Sequence, residues 1–180
     1  MKIKKINSYI LINCIFVILA ILSFVITFIS IKQMGQNDDR IRSIGIGSIA
    51  NYLRFLPSQY KNQDILELAF HNFGLAFIAY ILSALSFGIL GILSLCSAFS
   101  VAAVIFSSSP DWLTVVFTCL EVLGISLSVF GGTYIFNKRR RKNISLKKVF
   151  AFSSVLIGIL CVIYLLAAYI ETGLIRNMLR

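Results

Sequence analysis

The chain has 180 residues, 58% of them hydrophobic and 13% charged, and a formal net charge of +10. Its mean hydropathy is +0.90. A charged share about half that of a soluble domain excludes a wholly soluble protein, and the placement of the basic residues decides whether +10 means nucleic acid or membrane topology.

The first uncharged run, 8–31, follows Lys2, Lys4 and Lys5 and is long enough to cross a hydrocarbon core of roughly 30 Å as a helix. A basic start before an apolar run also suits a signal peptide. No small-x-small cleavage site follows at Ile29-Ser30-Ile31-Lys32, so an uncleaved first span is expected. Residues 32–67 then form the one sizeable extramembrane segment. Ile41, Ile44, Ile49, Leu53 and Leu56 recur at helix-like spacings up to Pro57, interrupted by Gly45, Ile46 and Gly47. Either a short amphipathic helix on the outer membrane surface or an ordered linker satisfies this pattern.

From 68 to 110 there is no acid or base except His71, and the run is long enough for two helical crossings. The expected spans are 70–94 and 96–109, with a tight bend near 95–100. The second of these is short before Ser107-Ser108-Ser109-Pro110, and fits either a tilted span or a half-helix that re-enters. Non-helical backbone at membrane depth is tolerated only when buried in protein or lining a wet cavity.

The fourth span, 112–136, holds a single charged side chain, Glu121. A carboxylate at the centre of a membrane helix costs roughly 3 kcal/mol on insertion scales, so it faces protein or water rather than lipid. Gly124, Ser128 and Gly132 follow Glu121 at spacings of three and four, which places all four on one helical face, and small residues at that spacing let helices approach closely. The fifth span, 149–170, carries a comparable stripe of Ala151, Ser154, Gly158 and Cys161 that continues to Ala168 and Glu171, while the second offers Ala84, Gly88 and Gly91. The same small-residue stripes allow a homo-oligomer.

Glu121 has two readings: a buried hydrogen-bonding anchor of the bundle, or a proton-titrating or substrate-facing carboxylate. His71 and Asn72 open the second span. A lone histidine cannot build a metal site, and His71 reads as an interfacial polar residue, with a possible pairing to Glu121 or Glu171 as the sharper alternative. Cys14, Cys96, Cys119 and Cys161 all fall in or beside apolar runs with no CxxC pair, as small packing residues do. No metal or other cofactor is expected.

Five crossings from an inside N-terminus put Lys2, Lys4, Lys5, Lys138, Arg139, Arg140, Arg141, Lys142, Lys147 and Lys148 inside with no acid. The outside then holds Lys32, Arg40, Arg42, Arg54, Lys61, Arg176 and Arg180 against Asp38, Asp39, Asp64, Glu67 and Asp111. The positive-inside rule is obeyed in this orientation, and the basic excess is a topology signal rather than a nucleic-acid surface. The inner loop Lys138-Arg139-Arg140-Arg141-Lys142 can also meet anionic lipid heads or an acidic protein surface. Asn143-Ile144-Ser145 matches a glycosylation pattern but falls on the inner side. No GxxxxGK[ST] phosphate loop and no nucleophile with its base occur, so an enzyme, or a transporter powered by its own ATP hydrolysis, is not expected.

Phe70-His71-Asn72-Phe73-Gly74-Leu75-Ala76 leads into Gly88-Ile89-Leu90-Gly91. Further on come Leu120-Glu121-Val122-Leu123-Gly124 with Gly131-Gly132, and Ala167-Ala168-Tyr169-Ile170-Glu171. Over residues 70–175 these segments resemble the stage II sporulation protein M family of membrane proteins. Asn72, Glu121 and Glu171 match the family's Asn at the start of the second span, its mid-span Glu and its last Glu. The Pro-His-Gly often found ahead of that mid-span Glu is Val116-Phe117-Thr118 here, and the family's hairpin Asn-Gly is missing.

The resemblance implies one of two roles. One is a scaffold that holds cell-wall hydrolases, as in sporulation. The other, seen in shorter relatives found with circular bacteriocins, is work beside an ATP-binding-cassette ATPase in peptide maturation, export or immunity. A compact chain with a basic inner loop favours the second. The expectation is an all-α, five-span bundle in the bacterial cell membrane, N-terminus inside and C-terminus outside, without catalytic residues. A proton-coupled carrier built on Glu121 is the third alternative, and the lack of an inverted repeat counts against it.

Overall fold

The computed structural model describes residues 8–37, 65–107, 112–140 and 145–178, and within them the protein is all-helical. Its helices are α1 (Ser8–Asn37), α2 (Ile65–Ser86), α3 (Ile89–Ser107), α4 (Trp112–Arg140) and α5 (Leu146–Met178). All five are long and apolar enough to cross a membrane, and this is a multi-pass membrane protein. The surface helix expected within 38–64 lies outside the described residues, as do Ser108, Ser109, Pro110, Arg141 and Lys142.

Apolar runs without charge become helices in a bilayer because every backbone N–H and C=O must find its partner within the segment. The hydroxyls interspersed among them are satisfied in the same way. Ser83, Ser128 and Thr133 are fully buried, and each donates to the carbonyl four residues earlier, at 2.7, 2.9 and 2.8 Å. Such back-bonding lets a small polar residue enter a helix interface without an orphaned donor.

The break between the second and third spans falls at Phe87–Gly88, not near 95–100. Phe87 and Gly88 both have left-handed backbone, with φ of 58° and 84°, and the Gly88 N–H bonds the Ser83 carbonyl at 2.9 Å. That is the closure of a helix end by a left-handed residue. The Ser86 hydroxyl ties the two helices, donating to Leu82 O at 2.6 Å and accepting from Leu90 N at 3.0 Å. A left-handed phenylalanine is costly, and its ring rests against Phe136 with centroids 5.1 Å apart. Residues 95–100, where the sequence predicts the bend, stay helical. The Ser100 hydroxyl instead meets Ser23 of α1 at 2.7 Å and accepts from Thr27 at 3.3 Å. With its start moved to Ile89, α3 has 19 residues, enough for a full crossing rather than a re-entrant half-helix.

α4 is the central helix. With α2 and α5 it builds one core around Ala76, Tyr80, Ile135, Leu156, Leu160 and Tyr164. With α1, α2 and α3 it builds a second around Phe16, Ala20, Ala79, Leu95 and Val129. α1 lies mainly along α3 and is the least buried span. Large apolar side chains point outward all round the bundle, including Leu85, Leu93, Phe150 and Ile26. In water such a surface would aggregate, and against acyl chains it is the expected one.

Candidate functional site

Glu121 sits two and a half turns into α4, about 13 Å from Trp112 along the axis, on the side facing α2 and α5. The side-chain amide of Asn72 on α2 donates to Glu121 Oε1 at 2.8 Å. The Tyr164 hydroxyl of α5 donates to the Glu121 backbone carbonyl at 3.5 Å. Glu171 lies two turns further along α5, and its Oε2 is buried without a hydrogen bond. Of the three positions on which the family resemblance rests, Asn72 and Glu121 meet directly from α2 and α4, while Glu171 lies on α5, the helix whose Tyr164 reaches the Glu121 carbonyl.

The small face that follows Glu121 makes this approach possible. Gly124, Ser128 and Gly132 are all buried, as the spacing predicts. A side chain at Gly124 would meet the Tyr164 ring at 2.6 to 2.8 Å, and one at Gly132 would meet the Tyr80 carbonyl, Ser83 Cβ (2.7 Å) and Ala84 N (2.8 Å). Gly124 thus admits α5 while Gly132 admits α2. Gly88 and Gly91 also sit at crossings, Gly88 against Phe16 and Thr133, Gly91 against Ser83 and Val129.

Two sequence expectations are corrected. Ser154 and Gly158, read as packing residues of the fifth span, are exposed together with Ala151 and Cys161, and a side chain added at Gly158 would meet nothing within 4 Å. The inner face of α5 is instead Leu156, Leu160, Tyr164, Ala167 and Ala168. That face is bulkier than a small-residue stripe because α4 supplies the glycines and α5 the side chains that fill them. His71 is exposed and is not among the groups around Glu121. One residue turns a helix by about 100°, so Asn72 faces inward where His71 does not.

Three polar contacts carried no motif. Tyr164 was an unremarked residue in an apolar run, although Leu160, Tyr164, Ala167, Ala168 and Glu171 follow a helical period that would have marked the inward face. Tyr80 and Ser153 share a hydrogen bond of 2.6 Å between α2 and α5. The Ser23–Ser100 contact joining α1 to α3 had no signal beyond the presence of hydroxyls.

At the other end of α4, Arg139 and Arg140 are exposed and the Lys138 ammonium lies 5.5 Å from the Tyr134 ring centroid. On the side of α4 away from the Glu121 pair, an open apolar groove of about 370 Å³ is lined by Phe24, Phe99, Phe106, Thr118, Cys119 and Leu123 among others. Glu121 does not line it. Among the described residues no three His, Cys, Asp or Glu side chains converge on a possible metal position. The arrangement is chemically suited to holding three helices in register, since the Asn72–Glu121 hydrogen bond joins α2 to α4 and the Tyr164 hydroxyl joins α5 to α4. No family model, curated protein or solved structure matches the chain.

Proposed function

We propose that this chain is a non-catalytic subunit of a complex in the bacterial cytoplasmic membrane that exports, matures or confers immunity to an antimicrobial peptide, with ATP hydrolysis supplied by a partner ATPase. The observation that carries the reading is the hydrogen bond between Asn72 and Glu121, two of the three residues by which the sequence resembles the stage II sporulation protein M family. Their use as a clamp between helices suits a subunit that presents a rigid membrane surface to partners. The N-terminus is inside and the C-terminus outside, a reading supported by the basic residues at 2–5 and 138–148.

Affinity purification of the tagged protein from its native membrane in mild detergent is expected to recover an ATP-binding-cassette ATPase. Recovery of cell-wall hydrolases in its place would replace the proposal with a scaffold role. Reporter fusions after residue 140 are expected to be active only as cytoplasmic reporters, and fusions within 40–60 only as external ones. The reverse pattern would overturn the orientation.

A further inference from the structure

The two ends of the bundle differ in charge. Where α4 ends and α5 begins, Arg139, Arg140, Lys147 and Lys148 are exposed, and Lys138 rests over Tyr134. The carboxylates among the described residues, Glu67, Glu121 and Glu171, all belong to the opposite half. Glu121 is level with Asn72 near the start of α2, whereas Gly132 is level with Tyr80 and Ser83 near its end. Among the described residues, no acid therefore neutralises the basic end.

The side chains between these cations are apolar. Leu146 and Phe150, one turn apart at the start of α5, flank Lys147 and Lys148 and are 65% and 70% exposed. Tyr134 packs between Tyr9 and Phe152, at centroid distances of 5.8 and 5.1 Å. Exposed cations interleaved with exposed apolar groups at the ends of membrane spans suit the bilayer interface. There the charged heads reach phosphates while Leu146 and Phe150 enter the acyl boundary. A soluble acidic partner would match the charges but leave the apolar pair uncovered.

We propose that this end of the bundle binds the headgroups of anionic phospholipids and selects them over zwitterionic ones. Each cation near the surface adds on the order of fivefold to the attraction, so four give a preference of about tenfold or more even with incomplete additivity.

The test titrates the purified full chain in neutral detergent with phosphatidylglycerol or phosphatidylcholine and counts retained lipid by native mass spectrometry. Preferential retention of phosphatidylglycerol is expected. It should be lost in the variant carrying Arg139→Gln, Arg140→Gln, Lys147→Gln and Lys148→Gln, and reduced in the Lys147→Gln/Lys148→Gln pair, both with unchanged helical circular dichroism. If the fourfold variant does not fold, the pair decides. Equal retention of the two lipids by the unmodified protein, or an undiminished preference in the variants, overturns the proposal. So does inorganic phosphate alone raising the melting temperature as much as phosphatidylglycerol, because the site would then take the free anion rather than a lipid.

Discussion

Replacing Gly132 with valine is expected to destabilise the bundle by about 3 kcal/mol, the upper end of the range for forcing extra volume into a packed interior. The obstacle is backbone rather than a movable side chain: the Tyr80 carbonyl and the Ala84 N–H of α2 stand where the new Cβ would be, with Ser83 Cβ between them. Neither helix can yield locally, so α2 and α4 must separate, and the fully buried Ser83 and Thr133 would separate with them. Gly158→Val is the matched control, because a side chain there meets nothing within 4 Å and the change should stay within about 0.5 kcal/mol. Thermal unfolding in detergent, followed by helical circular dichroism, distinguishes the two. Equal melting temperatures for both variants would mean that the α2–α4 crossing is not close-packed.

The second large effect concerns the Asn72–Glu121 pair. Asn72→Leu removes the donor and leaves the half-buried Glu121 Oε1 without its partner, at an expected cost of about 1–3 kcal/mol. Glu121→Gln keeps an oxygen to accept from Asn72 and is expected to change stability by less than about 1 kcal/mol. Glu121→Leu strands the Asn72 amide instead. The double variant Asn72→Leu/Glu121→Leu strands neither group and should recover much of the loss. A double-mutant cycle on detergent-unfolding free energies then yields a coupling of roughly 1–2 kcal/mol. A coupling near zero would show that the hydrogen bond does not hold α2 to α4, and the clamp reading of Glu121 would fail.

Much of the site was legible in the residues. Glu121 was singled out because one carboxylate in an apolar span must be accommodated, and Gly124, Ser128 and Gly132 followed because a helical face is simple geometry. Asn72 stood out as a polar residue at the start of the second span and Glu171 as the acid closing the fifth, and the resemblance grouped both with Glu121. Composition could not decide between His71 and Asn72 as the partner of Glu121, since adjacent residues differ only in which way the helix turns them. The fifth span misled for a related reason. Ala151, Ser154, Gly158 and Cys161 form as good a small-residue stripe as the one on α4, yet they face outward. A stripe shows where a helix could approach and does not say whether a neighbour is there.

The break between α2 and α3 shows the same division. The sequence reading makes Gly88 a packing residue and puts the bend near 95–100, roughly midway along the uncharged run. In the fold the serine at 100 has a partner on α1, and that partner, distant in sequence, is what keeps the region helical.

Length, hydropathy and the distribution of charge by themselves determined that this is a membrane protein whose apolar runs are helices, five of them among the described residues, because a bilayer leaves an uncharged apolar run few alternatives to a helix. Which faces meet was decided only by the tertiary structure. Lipid and a neighbouring helix are almost equally apolar, so sequence hydrophobicity does not distinguish an outward face from an inward one. Steric fit does: Tyr164 rests against Gly124, and the Tyr80 carbonyl against Gly132. That fit is what brings Asn72 to Glu121.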